Sequence, residues 1–389
     1  MELVDKLNCT GCMACVSACP RQCIDIVKGK LGHLYPKIIG EQCIECGKCR
    51  RTCPEIVPLT FHSVSKSYAA WSMDKENHKS SASGGAAAEF YYQALHDDFW
   101  ICGVEYREDF HVVHTLTDSM AAVSRFKQSK YVYSEMGTVY AEIEKLLKCN
   151  KKVLFISLPC KVAGLLGFLG KHYCNLLTVD IVCHGTPSHE NLRNHIFSID
   201  KENKASKLKF RMENEFLFDL SDAAGTDIYR RIGREDTYLA AFLEGLNYRD
   251  SCYYCSYAKP ERVSDITICD FWGLGLELPF DHPYMGAVSA VLVNTEYGRS
   301  FVEKCKRRLF MEERPVWEAV KGNAQLKAPT EIHPKRKAFE SLYKTHGFEV
   351  AVKRCLNEEM KKESRRLLKR RLRRMVRGVV GIFIKKYRR

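Results

Sequence analysis

Eight cysteines near the start of this chain constrain it more than any other feature. They fall at positions 9, 12, 15 and 19 and again at 43, 46, 49 and 53, so one set repeats the other at a constant offset of 34. Each half reads C-x2-C-x2-C-x3-C-P, ending at Cys19-Pro20 and Cys53-Pro54, with a glycine (Gly11, Gly47) inside the run. Three thiolates at this step let one loop wrap three corners of an iron–sulfur cube, while the displaced fourth cysteine ligates the other cube. The spacing therefore assigns Cys9, Cys12, Cys15 and Cys53 to one [4Fe–4S] cluster and Cys43, Cys46, Cys49 and Cys19 to a second. Gly11 and Gly47 permit close approach of backbone to cluster, and the prolines end each run. Structural zinc also uses paired C-x2-C elements, but four ligands per ion give no reason for the third step or the Cys-Pro ending. Cys23 stands outside the pattern and reads as a packed thiol. Between the two runs, CIDIVKGKLGHLYPKI alternates apolar and polar residues around two glycines, as a small hairpin does.

Residues 1–60 thus resemble a bacterial-type two-cluster ferredoxin, which implies a one-electron relay. The whole chain has 19 cysteines among 389 residues. Its first residues, MELVDKLNCTGC, lack the basic start and apolar stretch of a secretory leader, so the expected compartment is the cytoplasm. There, thiolate–metal bonding explains many cysteines better than disulfides do. A composition of 46% hydrophobic and 28% charged residues excludes disordered and fibrous classes. No apolar run approaches the roughly 18 residues that span a bilayer.

After Pro58 the texture becomes that of an α/β body with a mixed sheet. SYAAWSM reads as a strand and DKENHKSSASGG as a polar connection. AAAEFYYQALHDD reads as a helix, and WICGVEYREDFHVVHTLT as two antiparallel strands. Two strand-then-helix units follow, KVLFISLPC into KVAGLLGFLG and LLTVDIVCHGTP into HENLRNHIFSID. Strands are expected over 206–232, a helix over 236–247, and two more strands in DITICDFWGL and VSAVLVN. The expected division is a ferredoxin-like domain over 1–60, a body over 61–335 and a basic helical tail over 336–389. In the body, Cys160 and Cys183 end strands, and Cys252 and Cys255 form a C-x2-C. In an open α/β sheet the ends of parallel strands frame the ligand crevice, so these four thiols can converge on a metal centre. By spacing alone they can equally be buried small hydrophobes.

The motifs ASGGAAA (82–88), QSKYVYS (128–134), SLPCKVAGL (157–165), DIVCHGTPS (180–188) and CYYCSYAKPERVSDITICDFWG (252–273) occur in order. Together they resemble the coenzyme F420 hydrogenase/dehydrogenase beta subunit family, here fused to the ferredoxin segment. That resemblance implies a third [4Fe–4S] cluster on Cys160, Cys183, Cys252 and Cys255, with FAD nearby. SSASGGAAAE places Ser81, Ser83, Gly84 and Gly85 before a helix, where backbone N–H groups can face a phosphate. Lys130 can neutralise pyrophosphate and Tyr131 can stack on a ring. Taken without the resemblance, the same residues read as an ordinary serine cap, small packing residues and a solvated lysine. The resemblance also draws His184 and Asp270 to the cluster–flavin site. His184 can donate a proton or hydrogen-bond beside Cys183; Asp270 can hold a ribityl hydroxyl or cap a turn. Cys102, Cys149, Cys174, Cys269, Cys305 and Cys355 are left as structural thiols.

The net charge of +14 is concentrated at one end. Residues 353–389 carry 16 Lys and Arg against three Glu, leaving the rest of the chain at about +1. Apolar residues such as Leu368, Leu372, Val379 and Phe383 run through this segment, so it reads as a basic amphipathic helix on an anionic membrane surface. An acidic protein partner ranks second, and nucleic acid last, because the body has no basic surplus. The expected location is thus the cytoplasm, with peripheral contact at the inner face of the membrane. The leading functional reading is an iron–sulfur flavoprotein oxidoreductase that exchanges electrons with a protein donor or acceptor. Its organic substrate would be coenzyme F420 or a polysaccharide precursor. The alternative is a non-catalytic subunit that passes electrons to a partner enzyme.

Overall fold

A computed structural model describes residues 3–212, 215–282 and 286–387, with side chains through residue 370 and at 372 and 373. The hairpin forms as β1 (Ile24–Lys28) and β2 (Leu34–Ile38), paired antiparallel with Ile24 opposite Ile38. The body supplies β3 (Lys66–Ser72), β4 (Phe99–Tyr106), β5 (Val112–Thr117), β6 (Lys152–Ser157) and β7 (Leu176–Ile181). There follow β8 (Lys207–Met212), β9 (Glu215–Ser221), β10 (Asp227–Ile232), β11 (Ile266–Asp270), β12 (Ser289–Val293) and β13 (Leu309–Arg314). Eight strands make one mixed sheet in the order β13-β3-β12-β11-β7-β6-β4-β5, and β10-β9-β8 make a separate antiparallel sheet. At the centre, β4, β6, β7 and β11 run parallel, while the strands at both edges are antiparallel. This is the mixed-sheet α/β body expected, preceded by a cysteine-rich segment.

The central strands are buried on both faces, which is why they read as continuous apolar runs. Leu154 and Ile156 of β6 point to one layer with Phe90 of the helix Ala86–His96 and Phe301 of the helix Glu296–Cys305. Val153 and Phe155 point to the opposite layer, with Tyr140 of the helix Val139–Lys148, Leu165 of the helix Pro159–Leu169, and Cys12 and Ala14 of the cysteine-rich segment. That segment is therefore built into the second layer. Two glycines make the contact possible: a Cβ at Gly164 would lie 2.7 Å from the Cys12 Cβ, and one at Gly167 would lie 2.4 Å from the Thr52 carbonyl oxygen. The helix Pro159–Leu169 meets both cysteine loops along that face.

Three local expectations change. The polar stretch after β3 holds a helix, Lys75–Ser80, because the Asp74 side chain accepts hydrogen bonds from the Glu76 and Asn77 N–H groups. Cys160 lies in the first turn of the helix Pro159–Leu169 rather than at a strand end, since Pro159 starts that helix. The helix Glu296–Cys305 and β13 add a layer element and an edge strand that the sequence reading left out. The helical segment Arg336–Tyr387 is interrupted at Gly347 and Leu356, and Phe339, Phe348, Val352 and Leu356 are buried against the small sheet. Most of the apolar residues behind the membrane-surface reading, including Val379 and Phe383, lie outside the described side chains. Among the described residues no helix is long and apolar enough to cross a membrane.

Candidate functional site

The topology brings the chemistry to one edge of the sheet. β6, β7 and β11 are parallel neighbours, so the segments that follow them, carrying Cys160, Cys183 with His184, and Trp272, open on the same side; Asp270 closes β11 there. Carboxyl ends of parallel strands are where open α/β sheets hold ligands. Two cavities adjoin at this edge. The smaller, about 40 Å³, is lined by Cys160, Cys183, Cys252 and Cys255. Cys252 sits in the short helix Asp250–Tyr254, which Cys255 ends. The Arg249 N–H bonds the Thr186 carbonyl at 3.1 Å, which pins this turn to the loop after β7. The larger cavity, about 270 Å³, is lined by Ser81, Ser83, Gly85, Lys130, Tyr131, His184 and Asp270, among others. Its volume is near the lower end of the roughly 300–1,000 Å³ typical of cofactor sites. Residues 183–186 form a wall common to both cavities.

Gly84 does not reach the cavity; it packs against the Ala70 carbonyl and Ser289. Ser83 Oγ donates to the Val288 carbonyl at 3.2 Å and Ser81 Oγ to the Asn77 carbonyl at 2.7 Å, so both hydroxyls already have partners. The helix Ala86–His96 has no side-chain cap at Gly85, which leaves its first N–H groups at the cavity available to an anion. The Lys130 amine donates to the Lys127 carbonyl at 2.8 Å, and burial pushes its pKa down to about 7. A nearby anion would restore its charge. Tyr131 stacks on Phe242 with centroids 4.5 Å apart. Gln128 Oε1, on the same wall, is buried without a hydrogen-bond partner. An orphaned polar atom, an uncapped helix start and an aromatic wall fit a polar, ring-bearing cofactor.

Arg211 escaped the sequence reading. It is buried on β8, and its Nη1 meets Asp270 Oδ2 at 3.0 Å and Tyr131 Oη at 3.5 Å, with Phe216 and Trp272 against its guanidinium. No local motif marks it, because the small sheet delivers it from another part of the chain. The His184 side chain is exposed to solvent at the wall; desolvation by the surrounding protein lowers its pKa and the nearby Asp270 opposes that shift. Cys269 also lines the large cavity, beyond the packing role expected of it.

In the body, burial raises the pKa of Cys160, Cys183, Cys252 and Cys255, the last to about 11; other thiols of the set add to the rise at Cys160, Cys183 and Cys255, whereas Thr186 and Arg249 oppose it at Cys252. Four thiolates facing one cavity, each only partly exposed, need bound cations to offset their charge. In the cysteine-rich segment, Cys19, Cys43, Cys46 and Cys49 surround a small cavity of about 20 Å³. Cys23 lies there too, its Sγ 3.4 Å from that of Cys19, a neighbour the regular spacing did not reveal. Cys9, Cys12 and Cys53 lie within electrostatic reach of Cys15. Among the described residues no three His, Cys, Asp or Glu side chains converge tightly enough to hold a single ion.

Both cysteine-rich regions have counterparts in known proteins. Residues 8–57 match the 4Fe-4S dicluster domain, and residues 150–318 match the family described as the C terminus of the coenzyme F420 hydrogenase/dehydrogenase beta subunit. The chain is an iron–sulfur electron-transfer protein of the oxidoreductase type. Its residues 150–318 belong to the coenzyme F420 hydrogenase/dehydrogenase beta subunit family and its residues 8–57 to the dicluster domain. It is 34% identical over 62 residues to ketoisovalerate oxidoreductase subunit VorC of Methanothermobacter marburgensis, a match spanning 15% of this chain and 78% of that one. A chain of the F420-reducing [NiFe] hydrogenase complex from Methanosarcina barkeri superposes with a TM-score of 0.44 at 15% identity, covering 76% of this chain and 92% of the other.

Proposed function

We propose that this chain is an iron–sulfur flavoprotein oxidoreductase, divided into a ferredoxin-like domain (1–60), a flavin and iron–sulfur body (61–335) and a basic tail (336–389). Cys9, Cys12, Cys15 and Cys53 would hold one [4Fe–4S] cluster, Cys19, Cys43, Cys46 and Cys49 a second, and Cys160, Cys183, Cys252 and Cys255 a third, with FAD in the large cavity. Iron–sulfur clusters supply one-electron steps, and a flavin couples them to two-electron reduction or oxidation of an organic molecule. The observation that carries this reading is the wall common to the two cavities, residues 183–186.

The remaining roles belong to the chain itself. The N–H groups at the start of the helix Ala86–His96, with Lys130, bind the anionic part of the cofactor. Tyr131, Phe216 and Trp272 exclude water. Arg211 orients Asp270, and His184 holds a proton at the wall beside Cys183. Coenzyme F420 or a polysaccharide precursor is the proposed substrate class, and an electron-carrier protein the proposed partner.

Iron, sulfide and flavin quantified per chain after oxygen-free purification test the cofactor set. About twelve iron atoms and one flavin are expected; eight iron atoms without flavin would overturn the flavoprotein reading. The match to VorC, which is named as a subunit, favours a second reading, a relay that feeds a separate enzyme. Turnover of the purified chain with reduced viologen and a panel of acceptors supports the first reading, whereas turnover that needs an added partner supports the second.

A further inference from the structure

Buried cations in this protein are usually paired with carboxylates. Arg262 meets Asp180 at 2.8 Å, Arg211 meets Asp270 at 3.0 Å, and Arg314 meets Glu318 at 2.8 Å. Lys161 and Arg249 differ. They are 1% and 0% exposed, and among the described residues neither has an acidic partner within ion-pair distance. The Lys161 amine donates to the Gly11 carbonyl at 2.7 Å and lies 4.2 Å from the centre of the Tyr133 ring. Arg249 Nη2 donates to the Leu34 carbonyl at 2.8 Å, while its Nε and Nη1 have no hydrogen-bond partner. A Cβ on Gly11 would touch the guanidinium at 2.7 Å. Both cations thus press on the loop that carries Cys9, Cys12 and Cys15. Arg249 is in electrostatic reach of Cys9 and Cys252, and Lys161 of Cys9, Cys12 and Cys160. Two uncompensated charges in a dry interior are unfavourable unless an anion sits between them.

We propose that Lys161 and Arg249 are the fixed counter-charges of the inner cluster, on Cys9, Cys12, Cys15 and Cys53, and give it a higher reduction potential than the outer one. This rests on the cluster assignment above. A thiolate-ligated cube is anionic and gains a further negative charge on reduction, so nearby buried cations favour the reduced form. The outer set, Cys19, Cys43, Cys46 and Cys49, has no such buried pair among the described residues. Cys46 is exposed, and Arg51, which donates to the Cys46 carbonyl at 3.0 Å, lies in solvent where its charge is screened. One electron leaves the outer cluster as one enters the inner, with no bond made or broken. Lys161 and Arg249, lying between the inner set and the body's four cysteines, bias that exchange inward. They are positioning and tuning residues, not catalytic ones.

The test is a potentiometric titration of the oxygen-free full-length protein followed by electron paramagnetic resonance. The outer signal is identified as the one lost in Cys46→Ala. In Arg249→Gln or Lys161→Gln, the exchange equilibrium should shift about tenfold toward the outer cluster, which is about 59 mV for a one-electron couple. The outer potential should stay in place, and Arg249→Lys and Lys161→Arg should restore most of the shift. Equal potentials in wild type and Gln variants at unchanged iron content would overturn the proposal and leave the cluster assignment standing. If the Gln variants instead lose about four iron atoms per chain, retention of that iron by the charge-keeping variants supports the proposal, and its loss from them overturns it. A wild-type protein that binds no iron would overturn the cluster assignment first, and this inference with it.

Discussion

The two four-cysteine sets near the start of the chain are nearly identical as sequence and quite different as places. Cys9, Cys12 and Cys53 are buried, and their loops are held by the body: Ser251 Oγ donates to the Cys9 carbonyl at 3.0 Å, Tyr133 Oη to the Gly11 carbonyl at 2.9 Å, and Tyr140 Oη lies 3.1 Å from the Cys12 carbonyl. The second set is walled by β1, β2 and its own turns, with Cys46 exposed and Ile44 60% exposed beside it. A repeat that looks like duplication thus becomes an outer and an inner set. The asymmetry comes from the body, because Lys161 of the helix Pro159–Leu169 and Arg249 both bring their charge against Gly11, in the loop of Cys9, Cys12 and Cys15.

The largest effect expected from breaking this difference is on stability. Cys12→Ala and Cys46→Ala should each cost about four iron atoms per chain. Only Cys12→Ala should also lower the main unfolding transition, by about 3–5 kcal/mol, because it leaves Lys161 and Arg249 buried without a counter-charge. Equal stability losses in calorimetry would show that the body does not distinguish the two sets.

A change that touches neither set provides a reference. His195 is buried, which disfavours its charged form, but Asp236 at 2.8 Å and Glu349 at 2.6 Å outweigh burial and raise its pKa to about 9. A raised folded-state pKa means that the stabilisation is complete below the unfolded value of about 6.5 and is lost as pH climbs through 9. Stability should therefore fall by on the order of 1–3 kcal/mol between pH 6.5 and 9.5. His195→Gln should flatten that part of the profile without altering iron content.

Smaller still is Tyr140→Phe. Loss of the hydroxyl that bridges the Cys12 and Lys161 carbonyls, 3.1 and 3.0 Å away, should cost about 1 kcal/mol in denaturant. Iron chelation kinetics should quicken for the inner set alone. The smallest effect on either set should come from the tail. Removal of residues 371–389 should abolish co-sedimentation with phosphatidylserine-containing vesicles at low salt, to which each basic residue contributes on the order of 1 kcal/mol. The iron signals should not change.

Much of this molecule was legible in advance. Apolar runs such as VLFIS and VSAVLV identified strands buried on both faces, and β4 with β5 and β1 with β2 follow their alternation. The dicluster segment was legible from cysteine spacing, since ligands within one loop are placed by the chain itself, and the proposed grouping of the eight cysteines rests on that spacing. The large cavity was legible only in part. Ser81, Ser83, Gly85, Lys130 and Tyr131 belong to motifs near its wall, whereas Arg211 comes from a different sheet and carries no local signature.

Local spacing, periodicity and charge are properties of a few neighbouring residues, and so the sequence alone determined the cysteine sets, the α/β alternation and the basic end of the chain. Which set lies inside, what charge faces it, and which distant side chains share a cavity were decided by tertiary packing. Burial and electrostatic environment depend on atoms far apart along the chain: Gly11 has Arg249 against it, Cys12 has Gly164, and neither neighbour can be inferred from the residues on either side.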